Sequence, residues 1–388
     1  MYFTDDSLLP ENQEKLIIKA APWGPQWLPG DYPEDIAVSW DDQVQKAVDC
    51  YNAGASVLHV HVRDPKTGKI SKNFDEYNML MERLRNAVPK MILEIGGSIS
   101  FAPSGEGEKA KWLGYDTRHR IAEIKPKPDQ VTIAIGTGAM NLTEMTTEDD
   151  IRGTQLENPK VRAAWADMYA EAGPSFYIEH LKRLKAHDIQ PFFMLGYVHQ
   201  LESVERLIRG GAYMGPLNHE LVAIGGGAAG RNPFDMMEYV RRSPHGSIMF
   251  MESWMRTLFP LATAAIAFGQ HVRVGIEDNI WAPKKGQRMG TVNQVEYMAS
   301  IAKKLGREVA TGDDARRIQK IGTWYKSVEE TLFNLGLPPN RKGGQQGFVV
   351  YETDGKLHGH LGASDSHPIA GCQVVDLPPE PEPKKAAA

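Results

Sequence analysis

Between residues 16 and 276 the chain carries eight short runs rich in β-branched and aromatic residues, and between consecutive runs the apolar positions take up a helical period. The runs are 16–21, 56–62, 91–95, 130–135, 191–198, 220–224, 247–251 and 271–276. Helical stretches at 40–53, 74–88, 175–187, 204–209 and 233–242 separate them, and Val295, Met298, Ala302 and Leu305 keep a helical stripe after the last. Parallel strands need a long crossover, which a helix supplies, so this alternation is the pattern of a parallel sheet covered by helices. Eight such units predict an α/β fold of the (β/α)8 TIM barrel type, with its chemistry at the C-terminal strand ends. The competing open, doubly wound sheet would place a glycine-rich fingerprint after the first strand. Here that position reads Pro22-Trp23-Gly24-Pro25-Gln26.

The barrel is expected over 15–310, behind an N-terminal arm of 1–14. A long insertion after strand four, about 141–173 with helical material at 161–171, is expected to cap the barrel mouth or to meet a neighbouring subunit of a homo-oligomer. A C-terminal extension, 311–377, begins with a helix at 313–327 and includes a short strand at 348–351. The Pro/Glu/Lys/Ala tail at 378–388 reads as disordered.

Composition narrows the class of partner. A net charge of -5 over 388 residues, with scattered basic positions, argues against nucleic acid. No stretch reaches the ~20 apolar residues of a membrane span, and the polar, acidic residues 1–13 lack the apolar region of a signal peptide. Two distant cysteines, Cys50 and Cys372, exclude a disulfide framework and suit a reducing cytoplasm. A small-molecule substrate is expected.

The chemistry-bearing stretch is Leu58-His59-Val60-His61-Val62-Arg63-Asp64 in the second run. Alternation places His59 and His61 on one strand face, which is half of a metal site; the bland alternative is a pair of hydrogen-bonded core histidines. The eighth run enters its loop as Arg273-Val274-Gly275-Ile276-Glu277-Asp278-Asn279. Alternation groups Arg273, Gly275 and Glu277 and turns Asp278 elsewhere. An interior carboxylate is costly unless it is paired or metal-bound, so Glu277 is the expected third ligand, leaving a position open for water or substrate, as in catalytic zinc sites. An ion pair between Glu277 and Arg273 that only braces the barrel is the structural alternative. Asp278, a carboxylate outside the ligand set, suits a general base.

Weaker signals stand beside these. Gly96, Gly97, Ser98 and Ser100 after strand three could grip a substrate carboxylate or form only a tight turn, and Thr132 could donate a hydrogen bond inward. Gly225, Gly226 and Gly227 could cradle a phosphate or a thioester cofactor, although such a run is as often a plain loop. Glu252 and His199 are reserve ligands, and His358, His360 and His367 read as solvated.

The paired motifs around His59 and Glu277, with Lys127-Pro128-Asp129-Gln130-Val131-Thr132 before and in strand four, resemble the β-keto acid cleavage enzymes from about residue 16 to 318. The resemblance implies a zinc-dependent barrel that converts a β-keto acid and acetyl-CoA to acetoacetate and a new acyl-CoA by Claisen chemistry. Carried over by position, it makes His59, His61 and Glu277 the ligands, with Asp278 the base oriented by Arg273. Gln26 stands where that pattern has a substrate-contacting glutamate, and Gly96 where it has a serine; Thr132 matches. An amide cannot neutralise an ammonium group, so an amine-bearing substrate is not expected. Two alternatives stay open on the residues alone: hydrolysis or aldol-type cleavage without CoA, and a binding barrel that metal merely stabilises.

Overall fold

A computed structural model of the chain describes residues 6–228 and 230–340, together with three short antiparallel strands, Glu352–Thr353, Lys356–Leu357 and Val375–Asp376. The strand at 348–351, the histidines His358, His360 and His367, and the tail at 378–388 lie outside the described residues.

Eight parallel strands close into a barrel: β1 (Ile18–Ala20), β2 (Val57–Val60), β3 (Ile92–Ile95), β4 (Gln130–Ala134), and, after a hairpin of β5 (Gly138–Met140) and β6 (Met168–Ala170), β7 (Gln190–Leu195), β8 (Asn218–Ala223), β9 (Ile248–Ser253) and β10 (His271–Val274). The ring closes where Ile18, Lys19 and Ala20 pair with Val272, Arg273 and Val274. A closed parallel barrel buries both strand faces, which explains the near-continuous apolar runs. β8 begins two residues before its run because Asn218 and His219, polar but buried, conceal the start; Asn218 Nδ2 donates to Gln319 O and Tyr239 caps His219.

Helices follow the strands as their end signals dictate. Trp40–Ala53 opens on Ser39, whose hydroxyl accepts from Asp42 N, and closes on left-handed Gly54. Asn73 caps Phe74–Ala87 in the same way. Between β3 and β4 the helix shrinks to Tyr115–His119 with a 3-10 turn at Arg120–Glu123.

The insertion packs on the C-terminal end of the barrel. Its expected helix at 161–171 is corrected: the helix is Pro159–Trp165, and residues 168–170 form β6. Pairing with β5 and hydrogen bonds from Tyr169 N to Ala110 O and from Trp112 N to Tyr169 O hold that segment extended. Leu142, Leu156, Trp165 and Met168 then pack with Trp254 and Ile276 from the barrel rim.

The opposite end is closed by the C-terminal extension. The expected helix at 313–327 is corrected: it ends at Ile318 as Gly312–Ile318, Lys320 and Gly322 take positive φ after it, and a separate helix, Val328–Asn334, begins beyond the expected span. Ala310, Ala315 and Ile318 pack under Ile17, Val57, Ile92, Phe192 and Phe250. Gln190 Nε2 donates to the carbonyls of Lys320 and Thr323, tying the plug to the barrel. Among the described residues, no helix is long and apolar enough to cross a membrane.

Candidate metal centre and its cavity

His59 and His61 leave β2 on the interior side, and each ring is oriented through its Nδ1. His61 Nδ1 lies 2.8 Å from Ile99 O; a carbonyl only accepts, so Nδ1 carries the proton and Nε2 keeps its lone pair. His59 Nδ1 lies 2.8 Å from Glu94 Oε1, which fixes the same tautomer. Burial keeps both rings neutral, holding His61 down at about 4 and His59 well below the usual range. Both Nε2 atoms face Glu277 Oε1, at 3.6 and 3.7 Å. Donors about 2.1 Å from a tetrahedral ion stand about 3.4 Å apart, so both histidine-to-carboxylate distances are close to the spacing such an ion requires, and all three donors lie within 4.8 Å of one another.

Charge balance in the interior points the same way. Lys19, fully buried, reaches Glu94 Oε2 at 2.9 Å and Glu220 Oε2 at 3.1 Å. Arg273 meets Asp278 through two bonds, Nε to Oδ2 at 2.9 Å and Nη2 to Oδ1 at 2.8 Å, and also Glu277 Oε1 at 2.8 Å. Glu252 stands 3.5 Å from Arg273 Nη1. Five buried carboxylates therefore face two buried cations, an excess of three negative charges when all are ionised. Without a further cation, burial pushes Glu277 up to about 8, and its Oε2 has no hydrogen-bond partner. A divalent ion seated at His59, His61 and Glu277 would relieve both conditions.

The alternation expected beyond β10 is corrected. The strand ends at Val274, and Gly275, at φ 142°, starts a turn in which Asp278 N and Asn279 N both donate to Gly275 O. A Cβ at Gly275 would lie 2.2 Å from Ala21 O, so only glycine fits. The turn puts Asp278 beside Glu277 on the Arg273 side instead of directing it elsewhere, and both line the same cavity. The bracing ion pair of Arg273 and Glu277 is present as well, made by the same Oε1 that faces both histidines; a carboxylate oxygen has a second lone pair, and Oε2 has no partner, so the pair leaves the carboxylate able to ligate.

The other expected site residues separate into two groups. Gln26, Gly96, Gly97, Ser98 and Thr132 all line the cavity. Gln26 Nε2 donates to Glu277 O, while its Oε1 has no partner. Gly97 N donates to Thr132 Oγ1 at 2.7 Å, leaving the threonine proton free. A Cβ at Gly96 would lie 2.3 Å from His61 Nε2, and one at Gly97 would lie 1.9 Å from Thr132 O, so these glycines let the chain approach closely. Glu252 also lines the cavity, outside the three-ligand cluster. Gly225, Gly226 and Gly227 do not line it; all three have positive φ, and Gly226 and Gly227 press against the backbone of the insertion at Asn141 and Ala139. His199 stacks on Tyr197 and contributes nothing to the cluster.

Lys19, Glu94, Glu220 and Ile99 hold or surround the two histidines, and motif reading misses them. The first three carry one signal, a charged side chain inside an otherwise apolar strand, which is expensive without a partner. Ile99 carries none. Its φ of 63° is a strained left-handed conformation for a β-branched residue, and it presents the carbonyl that accepts from both His61 Nδ1 and Tyr77 OH.

A family model described as beta-keto acid cleavage enzyme matches residues 15–321. A 3-keto-5-aminohexanoate cleavage enzyme of Acetoanaerobium sticklandii is 25% identical over 305 residues, covering 79% of this chain and 98% of that one. A 3-dehydrocarnitine:acetyl-CoA trimethylamine transferase of Rhizobium meliloti is 25% identical, covering 71% and 87%. Among solved structures, a binary complex of ObcA with oxaloacetate matches with a TM-score of 0.52 at 14% identity, covering 74% of this chain and 67% of that one, a likeness of fold.

Proposed function

The chain belongs to the β-keto acid cleavage enzyme family, and from that premise we propose that it converts a β-keto acid and acetyl-CoA to acetoacetate and a new acyl-CoA, with a divalent ion, zinc by its donor set, at His59, His61 and Glu277. The observation that carries the reading is the convergence of two neutral Nε2 atoms and a carboxylate oxygen in a cavity that Asp278 also lines. Relatives named as acetyl-CoA-dependent transferases of 3-dehydrocarnitine and 3-oxoadipate support the second substrate.

When bound, the ion would supply a Lewis acid that stabilises charge developing on the keto oxygen. Asp278 takes the proton from the carbon between the keto and carboxylate groups. The two bonds from Arg273 aim its carboxylate, and burial raises its proton affinity toward that task. Thr132, its hydroxyl proton unspent, donates to an oxygen of the substrate's polar end. The insertion excludes water from a carbanion that water would otherwise quench.

The test is the pure protein with acetyl-CoA and β-keto acids, read as acetoacetate released and acyl-CoA formed. Turnover of the keto acid without CoA would replace this reading with hydrolysis or aldol-type cleavage. Less than a stoichiometric quantity of divalent metal in active protein would remove the ion from it.

A further inference from the structure

The cavity is divided by chemistry. Its charged and hydrogen-bonding groups come from β2, β3, β4 and the β10 turn, together with Gln26 after β1. The arc above β7, β8 and β9 is different: Met194, Val222 and Trp254 face the same space, and the insertion adds Met140, Leu142 and Met168 from above. The one carboxylate among the lining residues of that arc, Glu252, stands 3.5 Å from Arg273 Nη1 and so belongs to the polar end. Among the described residues, no lysine or arginine other than Arg273 lines the cavity.

Resting on the reading above, we propose that the part of the β-keto acid beyond its keto carbon is uncharged and apolar, and that Met140, Leu142 and Met168 of the insertion select it. A substrate anchored by its carboxylate and keto oxygen at the polar end must direct its tail into the remaining space, and that space is walled by thioethers, aliphatic groups and an indole. An ammonium there would lose its hydration beside thioethers and aliphatic groups, and a second carboxylate would have at most the single neutral N–H of Trp254, itself without a partner, to set against a full charge. A methylene there gains about fourfold in binding. Methionine on two sides of the space suits a tail of flexible shape, because an unbranched thioether fills irregular gaps. Specificity thus sits on the insertion and not on the strands that carry the chemistry.

The experiment is a panel of 3-oxopentanoate, 3-oxohexanoate and 3-oxoheptanoate against 3-oxoadipate and 3-keto-5-aminohexanoate, read twice on the metal-loaded wild-type protein. One reading is kcat/KM with acetyl-CoA. The other is equilibrium binding without acetyl-CoA, followed by the fluorescence of Trp112 and Trp254, which line the cavity. The expected result is a rise of about fourfold in both quantities for each added methylene, and a loss of tenfold or more for either charged tail. Leu142→Ala and Met168→Ala should flatten the chain-length dependence by raising KM for the longest member most. A charged tail preferred in binding would overturn the proposal whether or not turnover occurs. Apolar preference in binding with no turnover of any member would support the proposal and sink the catalytic reading instead.

Discussion

Replacing Glu94 by glutamine isolates how the metal centre is held, because the residue touches no substrate. Its two oxygens have separate tasks: Oε1 accepts from His59 Nδ1 at 2.8 Å, and Oε2 accepts from Lys19 Nζ at 2.9 Å. Glutamine has one acceptor and one donor at the same positions. If its oxygen faces His59, its amide faces the ammonium of Lys19, donor against donor; if it turns over, His59 loses the acceptor that fixes its tautomer. Carboxylate partners of ligating histidines contribute about 10- to 100-fold in metal affinity, equivalent to about 1.4 to 2.7 kcal/mol. Because Lys19 keeps Glu220 at 3.1 Å, loss of its second partner is expected to cost fold stability the about 1.5–3 kcal/mol of one charged hydrogen bond. Zinc competition against a chromophoric chelator reads the first quantity, and urea unfolding of the metal-free protein reads the second. Unchanged zinc affinity, within threefold, in a folded E94Q protein would refute the argument that this carboxylate sets the ring of His59.

Four further outcomes follow from the same geometry. His59→Ala or His61→Ala should leave less than a tenth of the wild-type metal content by elemental analysis after dialysis, since only two donors remain. Asp278→Asn should retain metal and lower kcat by about 10²- to 10⁴-fold, whereas equal loss of metal would make Asp278 a ligand. Gly97→Ala places a methyl 1.9 Å from Thr132 O and should destabilise the fold by about 1–3 kcal/mol, seen as a lower urea midpoint. Burial holds His180 and His219 down to about 3, so the unfolded chain binds protons that the folded one refuses. Stability should therefore be full above pH about 6.5 and fall on acidification toward pH 3 by up to about 1.4 kcal/mol per pH unit for each ring; His219→Gln should shallow that slope, and an identical slope would refute the assignment.

Most of the barrel is legible in the sequence, because strands buried on both faces leave uninterrupted β-rich runs and the helices between them carry caps such as Ser39 and Asn73. Two of the three candidate ligands, His59 and His61, are legible for a related reason: they obey strand alternation. Asp278 does not, since the turn at Gly275 ends the strand before the alternation reaches it. β6 is hidden because Met168, Tyr169 and Ala170 are extended only by virtue of distant partners at Gly138–Met140 and at Ala110 and Trp112. Local pattern cannot register such partners. Glu94 and Lys19 are visible only when each charged residue in an apolar run is asked where its partner lies. Ile99 is visible only in three dimensions, since its role rests on backbone conformation and a carbonyl.

The plug formed by Ala310, Ala315 and Ile318 bears on traffic as well as on stability. With the lower end of the barrel filled by Phe192, Phe250 and the Lys19 cluster, the cavity lies toward the other end, where Met140, Leu142 and Met168 line it. Two reactants and two products would share that end. An acid seated deepest is expected to arrive before the bulky thioester and to leave after it, an order that product-inhibition kinetics would read. The plug would thus shape the order of binding from the end of the barrel farthest from the chemistry.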